Sequence, residues 1–207
     1  MRAVAKRVVP RAVARRFSTA PSIAAAATSA VRSGHEVDVD RVLPLLVDAG
    51  GLSAAEAAAD VSVRQFGHGQ SNPTYLLSLG DRNLVLRKQP PGKLLRGAHA
   101  VDREFTVMSA LATTDVPVPR MLLYVDDAEL LGTPFFVSEF VAGRFFEDPA
   151  MRAAESPQQR AALYGAFIKA CAAIHTVDYE AAGLGGFGKV GYIFWLSGPP
   201  PGGRLQS

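Results

Sequence analysis

The stretch FGHGQSNPTYLLSLGDRNLVLRK, residues 66–88, contains a glycine turn that is followed by a strand-like run. Small residues let the backbone of such a turn approach an anion closely and offer N–H groups to it. The candidate anion-binding residues of the turn are Gly67, His68, Gly69, Gln70, Ser71 and Asn72. Rossmann and Walker glycine loops open a helix, whereas Pro73 here leads into the predicted strand Thr74–Leu79. A strand, a glycine turn and a second strand therefore favour a lid over a phosphate group.

The second half of the stretch predicts a hairpin and a third strand. Residues 80–83 have the composition of a hairpin loop, and residues 84–88 form a strand-like run. Alternation puts Val85 and Arg87 on one face of that strand and Lys88 on the other. The two cations of the strand therefore lie on opposite faces, and we interpret Arg87 as the one that contacts phosphate.

A helix with a carboxylate follows the third strand. In protein kinases, a cation on that strand contacts the phosphates of ATP and pairs with a glutamate on the next helix. Residues 101–111, VDREFTVMSAL, place Val101, Phe105 and Met108 at helical spacing, with Glu104 on the same flank. The pattern predicts a nucleotide site in which Glu104 pairs with Arg87.

Six phrases of the sequence, taken together, resemble a known family: GHGQSNPTYLL, LVLRKQPPGKLL, DREFTVMSAL, VPVPRMLLYVDD, GTPFFVSEFVAGR and AAIHTVDYEAAGLGGFGK. They are similar to the aminoglycoside phosphotransferase and choline-kinase-like superfamily. Within it, the strongest likeness is to the kinase-like domain fused to acyl-CoA dehydrogenases in family members ten and eleven. The resemblance extends over roughly residues 61–189.

This resemblance implies an α+β fold with a protein-kinase-like amino-terminal lobe, in which a curved antiparallel sheet of about five strands packs with one helix. An incomplete helical second lobe would follow. The complete family member would use ATP and Mg²⁺ and phosphorylate a small hydroxyl substrate, for which the strongest likeness suggests a hydroxyacyl-CoA. Glu139, Phe140 and Val141 would form the crossing between the lobes, where backbone groups contact the adenine ring. A fused or associated acyl-CoA dehydrogenase domain is an implied partner, whereas nucleic acid is not.

The residues that perform phosphoryl transfer are not found in the sequence. The reaction needs a catalytic-loop Asp, an Asn a few residues later and a further Asp on the metal. The chain has no Asn after Asn83, and its last acidic residue is Glu180. His175 and Asp178 end a helical pattern, and we interpret them as structural. We therefore expect neither a catalytic residue nor a magnesium site in this chain; a non-catalytic nucleotide-binding or interaction isoform and an inert truncated fragment are the alternatives.

The first 35 residues have the composition of a transit peptide, with many Ala and Ser, seven Lys or Arg, and no acidic residue before Glu36. Arg15, Arg16 and Phe17 resemble a mitochondrial processing site, which predicts import and cleavage near Phe17. A plastid or cytoplasmic location and a basic arm for nucleic acid are the alternatives. Without this segment, 15 of the 22 basic residues remain against 19 acidic ones, so the alkaline pI does not argue for nucleic-acid binding.

The patterns divide the chain into five segments. They are a transit peptide (1–35), a helical lead-in (36–60), the nucleotide-binding lobe (61–141), the start of a helical lobe (142–189) and an atypical, disordered tail (190–207). No apolar run reaches the ~20 residues that cross a bilayer, and the single Cys171 has no partner for an intramolecular disulfide. The loop before the helix contains Lys93, Arg96 and His99, for which two interpretations stay open: a mobile loop or a contact to the phosphates of CoA.

Overall fold

The computed structural model describes residues 28–67, 71–92, 99–144, 146 and 148–188, together with the backbone of residues 6–7. Seven antiparallel strands form one sheet in the order β1-β6-β7-β5-β4-β3-β2. The strands are β1 (Lys6–Arg7), β2 (Thr28–Ser29), β3 (Val61–Phe66), β4 (Thr74–Leu79), β5 (Arg82–Lys88), β6 (Met121–Val125) and β7 (Phe135–Glu139). The helices are α1 (Val39–Asp48), α2 (Ala54–Ala57), α3 (Val101–Leu111), α4 (Ala128–Leu131) and α5 (Pro157–His175).

The five longer strands, β3 to β7, are the ones that the sequence predicts, and the two short ones extend the sheet at its edges. The expected hairpin loop over residues 80–83 was wrong, because Arg82 and Asn83 already belong to β5. The turn consists of Gly80 and Asp81 alone, with Gly80 at a φ of 55°, a left-handed conformation that glycine adopts without steric cost. The short helix α4 follows β6, and Asp127 caps it.

The two faces of the sheet carry different cores. On one face, Tyr75, Leu77, Leu84 and Leu86 pack with α1 in the larger cluster of buried residues. On the other face, Val101 and Phe105 of α3 pack on β6 and β7, with ring centroids of Phe105 and Tyr124 5.6 Å apart. Burial of these apolar residues fixes α3 against the sheet, so the polar flank of the helix lies at a defined height above β5.

The edge strand β2 lies within the segment that the composition assigns to a transit peptide. Arg64 donates from Nε to Thr28 Oγ1 (2.8 Å) and from Nη2 to the Thr28 carbonyl (2.7 Å). The backbone N–H of Arg32 donates to the buried Gln65 side chain at 3.0 Å. Cleavage near Phe17, if it occurs, would leave these contacts in the mature chain.

We expect removal of residues 1–27, which takes away only the two-residue pairing of β1 with β6, to lower the stability of the lobe little, whereas removal of residues 1–35 should lower it further. The second truncation leaves the buried Gln65 amide without its Arg32 partner, which costs about 1–3 kcal/mol. Urea unfolding of both truncated chains against the full chain measures the difference. Equal midpoints for the two truncations would show that residues 28–35 do not stabilise the sheet.

The lead-in segment is linked to the crossing between residues 139 and 141 by an ion-pair network. The Ser53 hydroxyl accepts from the Glu56 N–H, and the Glu56 carboxylate accepts from the Ser53 N–H, forming the predicted capping box of α2. Arg82 pairs with Glu56 at 2.7 Å and with Glu139 at 3.6 Å, and Arg120 also reaches Glu139 at 3.4 Å. The lead-in, residues 36–60, is therefore part of the same fold as residues 61–141 rather than a separate unit.

Acid should weaken this network. The Ser53 N–H and then the Arg82 guanidinium lower the pKa of Glu56 from its ordinary 4.5 to about 2. Because the folded-state pKa is the lower one, the stabilisation is present above pH 4.5 and is lost as the pH falls towards 2. Glu56→Gln should therefore destabilise the chain at pH 7, by no more than about 1 kcal/mol for such a solvent-accessible pair, and by less at pH 3. Unfolding curves of wild type and variant that stay equally far apart across this range would contradict the assignment.

Candidate functional site

The structure brings the predicted cation and carboxylate together. Arg87 Nε lies 2.7 Å from Glu104 Oε2, and Arg87 Nη2 lies 3.4 Å from Glu104 Oε1. The packing of α3 on the sheet sets this distance, because Glu104 lies one residue before the buried Phe105. Both side chains keep about a third of their surface exposed, 28% for Arg87 and 35% for Glu104. The pair is thus formed within the fold and is still accessible to a ligand.

The neighbouring cation, Lys88, lies on the opposite face of β5. Its Nζ donates to the Leu131 carbonyl at 2.6 Å, at the carboxyl end of α4. Burial lowers the pKa of Lys88, and the position suits a cation because helix carbonyls at this end carry partial negative charge. Lys88 therefore stabilises α4, and Arg87 is the cation of the site.

Two further residues complete a closed ring of hydrogen bonds around the pair. Asn72 Nδ2 donates to Glu104 Oε1 at 3.0 Å. Arg87 Nη1 donates to Thr74 Oγ1 at 3.0 Å, and Thr74 Oγ1 donates to the Asn72 carbonyl at 3.0 Å. The ring joins the end of the glycine turn, β4, β5 and α3. Sequence reasoning missed Thr74, although the register of the hairpin sets it directly opposite Arg87.

Side chains in register across four strands extend this face of the sheet. One row consists of Thr74, Arg87, Phe136 and Tyr124, and the next of Leu76, Val85, Ser138 and Met121. Most of the second row is buried, with 3% of Leu76, 4% of Ser138 and 1% of Met121 exposed. The cation thus lies beside a largely apolar row of which Val85 alone is partly exposed among the described residues.

The predicted crossing, residues 139–141, begins at the end of β7. The Glu139 N–H donates to the Arg120 carbonyl at 2.9 Å, and the Phe140 N–H donates to the Asn83 carbonyl at 3.2 Å. Both amides are therefore used inside the fold. Within the described ranges, the N–H of Val141 has no hydrogen-bond partner, and 36% of this residue is exposed. Of the three amides, that of Val141 is the one that can donate to a ligand.

Parts of the predicted turn and loop lie outside the described residues, namely His68, Gly69, Gln70, Lys93 and Arg96. Gly67, directly after β3, is exposed, and so is Ser71, shortly before β4. Asn72, in contrast, is buried with 2% of its surface exposed. His99, which the sequence places in a loop, contacts Asn72 and so belongs to the site.

The described residues offer an anion the partly exposed guanidinium of Arg87. An arginine and accessible backbone amides are the groups that proteins use for phosphate. Across the described ranges, His, Cys, Asp and Glu side chains form no group of three that is able to hold a metal ion. Those ranges also contain no helix that is both long and apolar enough to span a membrane.

The helix α5 has the predicted bounds and is capped by Ser156, whose hydroxyl accepts from the Gln159 N–H at 3.1 Å. Its apolar stripe is largely exposed: 40% of Tyr164, 61% of Phe167, 63% of Ile168 and 52% of Ile174. His175 is exposed at the end of the helix. Beyond α5, the Phe187 carbonyl accepts from Arg103 Nη2 at 3.2 Å, and the guanidinium stacks over the Phe187 ring at 3.9 Å.

Comparison with known proteins identifies relatives of this chain. The chain is 45% identical over 141 residues to mouse acyl-CoA dehydrogenase family member 10, covering 68% of this chain and 13% of that protein. It is 42% identical over 134 residues to human acyl-CoA dehydrogenase family member 11, covering 65% of this chain and 17% of that protein. The chain therefore spans less than a fifth of either dehydrogenase.

A solved structure shows the same architecture. A crystal structure from Ralstonia eutropha named a "putative aminoglycoside phosphotransferase" superimposes with a TM-score of 0.60 at 37% identity, covering 74% of this chain and 43% of that one. The likeness confirms the kinase-like α+β fold. A protein-family model described as "Phosphotransferase enzyme family" matches residues 62–195. The chain therefore belongs to the phosphotransferase enzyme family, and it is the amino-terminal part of the family's sequence that it matches.

Proposed function

We propose that residues 61–141 form the ATP-binding lobe of a phosphotransferase that acts on a small hydroxyl substrate. The observation that carries this proposal is the Arg87–Glu104 pair, which joins a strand cation to a helix carboxylate at the end of a glycine turn. In phosphoryl-transfer enzymes of the kinase type, such a cation binds the α- and β-phosphates. Family membership supports ATP as the phosphate donor.

Each part of the site has a distinct role in this proposal. The guanidinium of Arg87 has five N–H donors; three go to Glu104 and Thr74, which leaves two for phosphate oxygens. Val85, which is partly exposed, would lie against the adenine ring, and the Val141 N–H would donate to the ring edge. Magnesium would offset phosphate charge during the reaction, and its carboxylate ligands would come from outside the described residues.

We propose a hydroxyacyl-CoA as the substrate class and the mitochondrion as the location. The substrate proposal draws support from relatives that are named acyl-CoA dehydrogenases. An aminoglycoside, the substrate class in the name of the structural neighbour, is the other hydroxyl compound to test. The proposed location draws support from the basic segment without acidic residues that precedes Glu36.

Equilibrium binding of a fluorescent ATP analogue tests the proposed function. Wild type should bind, and Arg87→Ala should bind at least tenfold more weakly because the phosphates lose their charged donor. Lys88→Met is the matched control, since it removes the adjacent positive charge on the opposite face of β5. Absence of binding by folded wild type, or equal losses in Arg87→Ala and Lys88→Met, would exclude the proposed site.

A further inference from the structure

We propose that Asn72 is a positioning residue, whose buried carboxamide holds the Glu104 carboxylate in the orientation that pairs with Arg87, and that His99 holds the carboxamide. The inference rests on the proposed role of the Arg87–Glu104 pair in nucleotide binding. It also changes the assignment of Asn72, which the sequence placed among the phosphate-binding residues of the turn. The side chain points at protein partners on both of its polar ends.

The carboxamide of Asn72 is buried between protein partners and is not open to a ligand. Only 2% of the residue is exposed. Its Nδ2 donates to Glu104 Oε1 at 3.0 Å, and its Oδ1 lies 2.9 Å from His99 Nδ1. A buried amide is stable only when such partners are present, so the two contacts account for an amide at this position.

The two oxygens of the Glu104 carboxylate have different hydrogen-bond partners. Oε2 accepts the short hydrogen bond from Arg87 Nε, and Oε1 accepts from Asn72 while lying 3.4 Å from Arg87 Nη2. Without the Asn72 donor, the carboxylate can rotate about its last torsion, which has a broad energy profile. Asn72 therefore holds the plane of the carboxylate in the orientation that pairs with Arg87.

His99 holds the end of the amide that faces away from Glu104. Asn72 Nδ2 must face Glu104, because a carboxylate only accepts hydrogen bonds, so Oδ1 faces His99 and requires a proton on Nδ1. His99 adopts a φ of 56°, a left-handed conformation that is costly for a residue with a Cβ. The costly conformation therefore occurs at the residue that holds the amide, two positions before α3 begins.

Charge explains why position 72 holds an amide rather than an acid. The ring contains one cation, Arg87, and one anion, Glu104, and the imidazole of His99 lies at the other end of the Asn72 amide. An Asp at position 72 would have the same shape but would set a second carboxylate against Glu104. Like charges at this distance disfavour each other, so Glu104 would turn away from its present position.

Chemical modification of Arg87 tests the inference without a nucleotide. We would treat the full chain with phenylglyoxal, which reacts with accessible arginine, and measure each site by peptide mass spectrometry. Asn72→Ala and the equally sized Asn72→Asp should speed modification of Arg87 at least threefold, while Arg64, paired with Thr28 at the sheet edge, should be unchanged. Gln65→Ala is the matched control, because it removes another buried amide of the sheet and leaves the ring intact.

Two further comparisons complete the test. His99→Ala should speed modification of Arg87 in the same direction, and His99→Asn should restore the wild-type rate, since Asn supplies a donor and tolerates a left-handed backbone. Binding of the ATP analogue should weaken about tenfold in Asn72→Asp and stay unchanged in Gln65→Ala. An Arg87 modification rate that does not respond to either Asn72 variant, or that responds equally to Gln65→Ala, would overturn the inference. If wild type binds no ATP analogue, the proposed function fails, while the modification rates still decide the role of Asn72.

Discussion

Glu104→Ala is expected to weaken binding of an ATP analogue by about thirtyfold. The substitution leaves the Arg87 guanidinium without its carboxylate and leaves the buried Asn72 amide without its acceptor. A hydrogen bond to a charged group contributes about 1.5–3 kcal/mol, and about 2 kcal/mol corresponds to a thirtyfold change in affinity. The larger cost of about 3–5 kcal/mol for breaking a fully buried pair does not apply, because both side chains are partly exposed.

Asp102→Ala provides the control for Glu104→Ala. Asp102 is also an acid in the first turn of α3, but its side chain is exposed, so its removal changes the net charge by the same amount. The difference in affinity between the two variants, each checked for folding by thermal unfolding, isolates the effect of the ring from that of overall charge. An Asp102→Ala loss as large as that of Glu104→Ala would mean that the pair has no special role.

The pairing of Arg87 with Glu104 was predictable because it depends on two short-range periodicities. Alternation along β5 fixes the face of Arg87, and the helical spacing of Val101, Phe105 and Met108 fixes the flank of Glu104. Neither depends on knowing the path of the chain between residues 89 and 98. The same reasoning predicted the bounds of β4 and α3.

Thr74 was missed for a specific reason, the length of one turn. A loop over residues 80–83 would pair Leu79 with Leu84 and so shift the register by two residues, which separates Thr74 from Arg87. The actual turn has two residues, pairs Leu79 with Arg82, and sets Thr74 opposite Arg87. Because hairpin register follows turn length, a correct assignment of the Gly80–Asp81 turn would have revealed Thr74.

The contact between His99 and Asn72 had no comparable signal in the sequence. The two residues are 27 positions apart, and the contact depends on a left-handed backbone at His99 that local sequence does not dictate. The crossing at residues 139–141 shows the same limit of prediction from sequence. The phrase SEFVAG indicates a crossing, but the use of the Glu139 and Phe140 amides by Arg120 and Asn83 emerges only from the packing of β5, β6 and β7.

Two adjacent residues of α3 contact different parts of the fold, so the position of α3 depends on both parts. Glu104 ties it to β5, and Arg103 ties it to Phe187 through a hydrogen bond and a cation–π contact. The two residues are adjacent in sequence. A movement of the segment that follows α5 would therefore also move α3, the helix that carries Glu104 of the Arg87–Glu104 pair.

We expect the 207-residue chain to transfer no phosphate at a measurable rate. Phosphoryl transfer depends on positioning and on stabilisation of charge by groups from both lobes and by the metal. The chain supplies Arg87 and Glu104, but after Asn83 it contains no Asn, and within the described ranges no three acidic, His or Cys side chains are grouped for a metal. The exposed apolar residues of α5 also have no helix packed over them in those ranges. Binding of ATP is therefore predicted without turnover.

The assay follows ATP consumption by the chain from Ser18 to Ser207, with Mg²⁺ and with hydroxyacyl-CoA, choline and aminoglycoside substrates in turn. The rate should equal that of buffer for every substrate, and Arg87→Ala should have the same rate as wild type. Turnover that disappears in Arg87→Ala would contradict the prediction, because the activity would then depend on the Arg87–Glu104 pair of this chain. In that case the catalytic acid would have to be sought among the exposed residues at the end of α5, and Asp178, three residues after His175, would be the first to replace by Asn.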